Sequence, residues 1–283
     1  MDSKKPHYRV SLSEQALNHE KLMRAIVKNL ADTNHEKLMR AIVKNLADTP
    51  MVLKGGTALY LGYGLNRFSE DLDFDCHKKI NLLGRVKSAI PNGIILNDIH
   101  IKKDTDSVGR YMVRYATKDN KEEQTLKLEI SYRDAPKESE VNVIEGMRIA
   151  KIERIIDNKL CACFDGEHTR TKARDLFDLH FLAKHYEEHF NLDLASRLKD
   201  FSKDPDKLVS DYLVDVKLDA LLNQIMDLEE TALELGVMAQ LIHKKLEKQS
   251  HSLNALQEQQ GYSNNDNSLD NSNENTYTPK RRR

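Results

Sequence analysis

The chain has 283 residues, of which 39 % are hydrophobic and 31 % charged, with 44 Lys+Arg against 45 Asp+Glu. That length allows one large domain or two ordinary ones. A near-neutral balance excludes a wholly basic nucleic-acid binder but leaves room for local basic patches. No run approaches the ~18 apolar residues of a membrane-spanning helix.

The N-terminal MDSKKPHYRV lacks the apolar core of a secretory signal. Cys76, Cys161 and Cys163 are odd in number and lack zinc spacing, which suits a reducing compartment. The chain therefore reads as soluble and cytoplasmic, without a membrane partner. The first recognisable element is an internal repeat. NHEKLMRAIVKNLADT fills 18–33 and recurs unchanged at 34–49. Each copy has helical periodicity, with Leu22, Met23, Ile26, Val27 and Leu30 on one face. In one continuous helix the shift of 16 residues would turn the second apolar face by about 160°. A break at Asp32-Thr33-Asn34 removes that conflict, with Thr33 and Glu36 as a capping box. The second copy leads into the motifs below and is expected to be integral; the first is expected to be an appendage.

Residues 51–147 read as mixed α/β. Met51-Val52-Leu53 is a short apolar run that ends in Gly55-Gly56, and Thr57–Tyr63 is predicted helical. A strand follows over Leu72–Cys76, then a helix over Lys79–Ile90 stopped by Pro91-Asn92-Gly93. A further strand lies near Ile94–Ile101. Arg110–Thr117 and Gln124–Tyr132 form a predicted hairpin, whose second arm alternates apolar and polar residues.

The stretch LKGGTALYLGYGLNRFSEDLDFD, 53–75, carries the first chemistry. Glycines between a strand and a helix let backbone approach a ligand, and a helix N-terminus offers free N–H groups to phosphate. Asp71 and Asp73, two apart on a strand, share a face with Cα atoms about 7 Å apart. Side-by-side carboxylates repel, and a divalent cation such as magnesium relieves them. Plain solvent-facing acids are the competing explanation; the upstream Gly-Gly and Ser69 favour metal. Glu129, on the polar face of the 124–132 strand, is the natural third carboxylate. Alone it would be an ordinary solvated glutamate. Three such carboxylates beside a phosphate turn suit two-metal phosphoryl transfer.

The segment 148–248 is predicted helical. Ile149, Ile152, Ile156 and Leu160 follow a 3.6 period, as do Leu235, Met238, Ile242 and Leu246. Leu218, Leu221, Leu222 and Ile225 supply another stripe. Within it lies KLCACFDGEHTRTKARDLFDL, 159–179. Lys159 sits at the edge of an apolar stripe, and Arg170, Lys172 and Arg174 stand near Asp175 and Asp178. Taken alone, an Arg174–Asp178 surface pair would explain the charges. From Gln249 to Arg283 the chain is rich in Asn, Ser and Gln and is expected to be disordered. Its terminal Lys280-Arg281-Arg282-Arg283 reads as a solvated end.

Taken together, KGGTAL, RFSEDLDF and KLCA…RTKARDLFDL resemble the AbiEii/AbiGii-type toxins of the nucleotidyltransferase superfamily, from about Glu36 to Leu182. The chain also resembles two-domain members in which the catalytic domain precedes a helical bundle. The implied fold is α+β: N-terminal helices over 1–50, a nucleotidyltransferase core over 51–147, a helical bundle over 148–248 and the tail over 249–283. The resemblance implies a metal-dependent enzyme, using Mg2+ or Mn2+, that transfers NMP from an NTP to RNA, with the tRNA 3′ end favoured. It also implies a toxin restrained by a cognate antitoxin. Gly55, Gly56, Thr57, Ser69, Lys159 and Arg174 would bind the nucleotide, with Lys159 at the triphosphate. Asp71, Asp73 and Glu129 would bind metal, and Asp175 and Asp178 would help organise catalysis. A non-catalytic nucleotide- or RNA-binding protein of the same fold is the alternative.

Overall fold

A computed structural model describes residues 34–118 and 121–265, with side chains to residue 252. The first repeat copy and Thr33 lie outside the described residues. In chain order the elements begin with α1 (Asn34–Asn45), β1 (Val52–Lys54), α2 (Gly55–Tyr63), β2 (Leu72–Asp75) and α3 (Leu82–Ser88). Next come β3 (Ile94–Asp104), β4 (Val108–Thr117), β5 (Gln124–Ser131), β6 (Val141–Ile144) and β7 (Met147–Ala150). The remainder is helical: α4 (Ile152–Leu160), α5 (Ala173–His185), α6 (Leu192–Phe201), α7 (Pro205–Leu218), α8 (Leu222–Ile225) and α9 (Leu228–Asn265).

The strands form one mixed sheet in the order β3-β4-β5-β2-β1-β7-β6. Leu126, Leu128 and Ile130 of β5 and Leu72 and Phe74 of β2 face the core, so the intervening residues present a polar face. That alternation is what puts Asp73 and Glu129 on one surface. Core residues from sheet and helices join one continuous buried cluster, which α9 completes by packing on α5, α6 and α7.

α1 is the second repeat copy, and its predicted face is the buried one. Leu38, Met39, Ile42, Val43 and Leu46 are all fully or almost fully buried. The Glu36 carboxylate accepts from Arg40 and Tyr60, and the expected capping partner Thr33 lies outside the described residues. His35 ties the helix start to Tyr115 and to the Glu70 carbonyl. Because the copies are identical, deleting 18–33 or deleting 34–49 produces the same chain, and that chain retains every one of these contacts. It is expected to express solubly and to melt within a few degrees of the full chain; insoluble product would show the first copy to be structural.

Three departures from the sequence reading have local causes. Residues 148–150 are strand, not helix: Glu145 and Gly146 both take positive φ (48° and 77°) and close a tight β6–β7 hairpin. Ile149 therefore belongs to β7, parallel to β1, and only Ile152, Ile156 and Leu160 continue as a helix stripe. The stripe from Leu218 to Ile225 is split, since α7 ends at Leu218 and Asp219 accepts from the Leu222 N–H. Leu218 is consequently 80 % exposed.

The third departure is at the C-terminus. α9 runs to Asn265, so 249–265 are helical where disorder was expected. Ala255-Leu256-Gln257-Glu258-Gln259-Gln260 are good helix formers without Pro or Gly, and extending an existing helix is easier than nucleating one. Gln249, His251 and Ser252 are nevertheless exposed. Truncation after Lys248 should therefore move the melting temperature by no more than about 2 °C. A fall of ten degrees would reveal packing beyond that point.

Candidate active site

The site is assembled from the β1–α2 turn, the start of β2, the middle of β5 and the first turn of α5. Gly55 opens α2 at φ +70°, a left-handed conformation that disfavours side chains. A Cβ there would stand 3.8 Å from Asp73 Oδ2, so the turn lies directly over that carboxylate. At Gly56 a Cβ would come within 2.3 Å of the Arg67 guanidinium. The glycine pair thus allows backbone and charged groups to approach at a helix N-terminus with unbonded N–H groups.

Thr57 and Ser69 fasten this turn to β2. Their hydroxyls are 2.6 Å apart, and the Thr57 hydroxyl also donates to the Asp71 carbonyl. Both side chains are buried. The two residues position Asp71 relative to the glycines.

Register then places the carboxylates. Asp73 lies beside Glu129 in the parallel β2–β5 pair, with Lys54 of β1 and Arg110 of β4 on the two flanks. Across four strands the row reads cation, anion, anion, cation. Glu129 accepts from Arg110 at 2.8 Å, and Lys54 reaches instead to Asp75 at 2.5 Å. Asp71, just before β2, pairs with Lys127 at 2.6 Å. The Asp73 carboxylate has no hydrogen bond or ion pair among the described residues. Burial pushes its carboxyl above the usual range, with Asp71 and Glu129 adding to the effect and Lys127 and Lys54 opposing it.

As placed, no three His, Cys, Asp or Glu side chains converge into a ready metal centre among the described residues. The donor set nonetheless suits a hard divalent cation: three carboxylates share one face, and the central one is unpaired beside two like charges. Asp71 and Glu129 are occupied by lysine and arginine instead.

A second charged group lies behind the glycine turn. Lys159 is 7 % exposed and its ammonium contacts Asp175 at 2.6 Å and Asp178 at 2.5 Å. Asp178, fully buried, also takes both Nε and Nη2 of Arg67 at 2.7 Å each. Asp175 accepts from Arg170 at 2.9 Å. Burial alone would raise the Asp175 carboxyl, but Lys159 and Arg170 outweigh it and hold it at about 2. The sequence-predicted Lys159, Asp175 and Asp178 are therefore together, in a buried network that reaches Gly56 through Arg67. The Lys159 ammonium is committed to carboxylates, and is neither a surface lysine nor directed at open space.

Arg174 sits at the rim, bonded to Asp219 at 2.6 Å, with the carboxylates of Glu70 and Asp71 adding to the stabilisation of its charge. It makes no ion pair with Asp178. Arg170 is more exposed, and Asp73 adds to the stabilisation of its charge. Sequence reasoning missed Arg67 and Lys127. Arg67 was visible only as the first letter of RFSEDLDF, and Lys127 as the polar residue two before Glu129. A separate cleft lined by Lys151, Arg154, Asp157 and Asp193 shares none of these residues.

Comparison with known proteins identifies the family. The crystal structure of JHP933 from Helicobacter pylori matches with a TM-score of 0.77 at 93 % identity, covering 87 % of this chain and all of that one. A crystal structure of an H. pylori protein provisionally assigned as a nucleotidyltransferase matches with a TM-score of 0.73 at 93 % identity, covering 84 % of this chain and 98 % of that one. None of the curated proteins matches. The model of the family described as "Nucleotidyl transferase AbiEii toxin, Type IV TA system" matches residues 37–252. With the Gly-Gly turn, the paired strand carboxylates and the Lys159 network all inside that span, the chain belongs to the AbiEii nucleotidyl transferase toxin family.

Proposed function

We propose that this protein transfers a nucleoside monophosphate from an NTP to an RNA hydroxyl, with the tRNA 3′ end as acceptor, in a reaction dependent on Mg2+ or Mn2+. The family's type IV toxin–antitoxin membership implies a nucleotide substrate and an antitoxin partner. The observation that carries the catalytic reading is the in-register pairing of Asp73 with Glu129 under the Gly55 turn. In the proposed reaction the acceptor oxygen bonds to the α-phosphorus, the α–β bridging bond breaks, pyrophosphate leaves and the hydroxyl proton is lost.

Each residue has a part in this reading. Backbone N–H groups of Gly55, Gly56 and Thr57 receive phosphate oxygens at the start of α2. Ser69 and Thr57 fix the turn against Asp71. Asp71, Asp73 and Glu129 would hold the divalent cations, which supply charge to the phosphoryl oxygens and acidify the acceptor hydroxyl. Arg170 and Arg174 line the rim where a triphosphate and an RNA backbone would enter. Lys159, Asp175, Asp178 and Arg67 brace the turn from behind. In a cytoplasmic setting the consequence would be growth arrest, relieved by the antitoxin.

Among the described residues no helix is long and apolar enough to cross a membrane. A non-catalytic binder is the competing reading, and one observation favours it: Lys127 and Arg110 already pair with two of the carboxylates. Incubating the protein with each α-labelled NTP and total RNA separates the two. Label covalently joined to RNA, abolished by EDTA, is the expected result. Nucleotide bound but never transferred would favour the binder.

A further inference from the structure

Lys127 is a cation on the face where the reaction needs metal. It lies on β5 two residues before Glu129, so both side chains project to the side that carries Asp71 and Asp73. Its ammonium is 2.6 Å from Asp71 Oδ2, and both side chains are only partly exposed. Burial opposes the charge on Lys127, but Asp71, then Asp73 and Glu129, more than compensate. Of the other nearby cations, Lys54 is committed to Asp75 and Arg174 to Asp219, while Arg110 pairs with Glu129 and touches neither Asp71 nor Asp73.

We propose that Lys127 is an internal counter-ion that holds the place of the divalent cation on Asp71 and must be displaced when metal binds. The inference rests on the metal reading of Asp71, Asp73 and Glu129 given above. One carboxylate oxygen cannot serve an ammonium and a divalent ion at full strength, and the two cations repel at this range. Metal entry is then an exchange rather than a simple addition. The displaced ammonium regains an anionic partner only when a triphosphate arrives. Lys127 thereby makes binding of metal alone weak and couples it to binding of nucleotide. Without Lys127, Asp71 and Asp73 would stand as adjacent unneutralised carboxylates and attract metal indiscriminately.

The test uses the full chain and Mn2+ alone as probe, with free Mn2+ read by electron paramagnetic resonance. Lys127→Met removes the charge and keeps most of the stem; Lys127→Arg keeps the charge. Without nucleotide, Lys127→Met should bind Mn2+ about two- to fivefold more tightly than wild type, the range a partly exposed ion pair supplies. Lys127→Arg should stay near wild type. With a non-hydrolysable NTP analogue present, the advantage of Lys127→Met should shrink or reverse. A measurement on wild type avoids dependence on how the variants fold: Mn2+ should speed acylation of Lys127, read by mass spectrometry, by releasing its ammonium. Unaltered Mn2+ affinity in Lys127→Met, or acylation of Lys127 indifferent to Mn2+, would overturn the inference while leaving the metal assignment standing. Absence of Mn2+ binding in wild type and variant alike would overturn both.

Discussion

Asp71→Ala and Asp73→Ala are each expected to lower metal-dependent NTP use by on the order of 10³-fold without unfolding the protein. The stability half of that expectation follows from the electrostatics. The Asp73 carboxyl is pushed up by burial and by Asp71 and Glu129, so its ionised form is disfavoured in the fold. Removing it relieves repulsion, and Asp73→Ala should melt no lower than wild type at pH 7. Asp71→Ala loses one partly exposed ion pair with Lys127, worth about 1 kcal/mol or less. The check is a labelled-NTP assay beside thermal melts of the same samples. Unchanged turnover in either variant would remove that residue from the site.

Lys159→Ala is expected to have the largest effect on stability, because it leaves Asp175 and Asp178 buried with a cation missing. Arg67 and Arg170 would remain, but the ammonium that joins the two carboxylates would be gone. Breaking a buried charge pair from one side costs about 3–5 kcal/mol. Denaturant unfolding at pH 7 should show that loss, together with loss of activity. The family resemblance alone would instead have Lys159 touch the triphosphate, giving a variant that is stable and inactive. A loss below about 1 kcal/mol with activity abolished would favour that direct contact over the bracing role.

The contrast at Lys159 shows where sequence reasoning reaches its limit. Its identity and its motif were legible, as were those of Asp175 and Asp178, but not that all three turn inward upon one another. Periodicity put Lys159 at the edge of an apolar stripe, where a surface lysine is the default. Its partner Asp178 is held in turn by Arg67, 111 residues away in sequence, and no local pattern encodes that contact. The strand carboxylates were easier, since period-two alternation fixes their face once the strands exist. Adjacency of Asp73 and Glu129 still required the β2–β5 pairing, which spans the whole β3–β4 hairpin. The β6–β7 hairpin was hidden because Ile149 fits a helical period as well as a strand one. Glu145-Gly146 was its only local signal, and Glu is an uncommon occupant of such a turn. Helix α9 was cut short because polar composition resembles disorder even where helix propensity is good.

In the proposed reaction the bond broken is the one between the α- and β-phosphates. Parallel reactions with α-labelled and γ-labelled NTP, total RNA and Mg2+ test it directly. The account predicts α-label in RNA and γ-label in pyrophosphate, in equal amounts, with both lost in Asp73→Ala. Release of γ-label as orthophosphate with no α-label in RNA would contradict it.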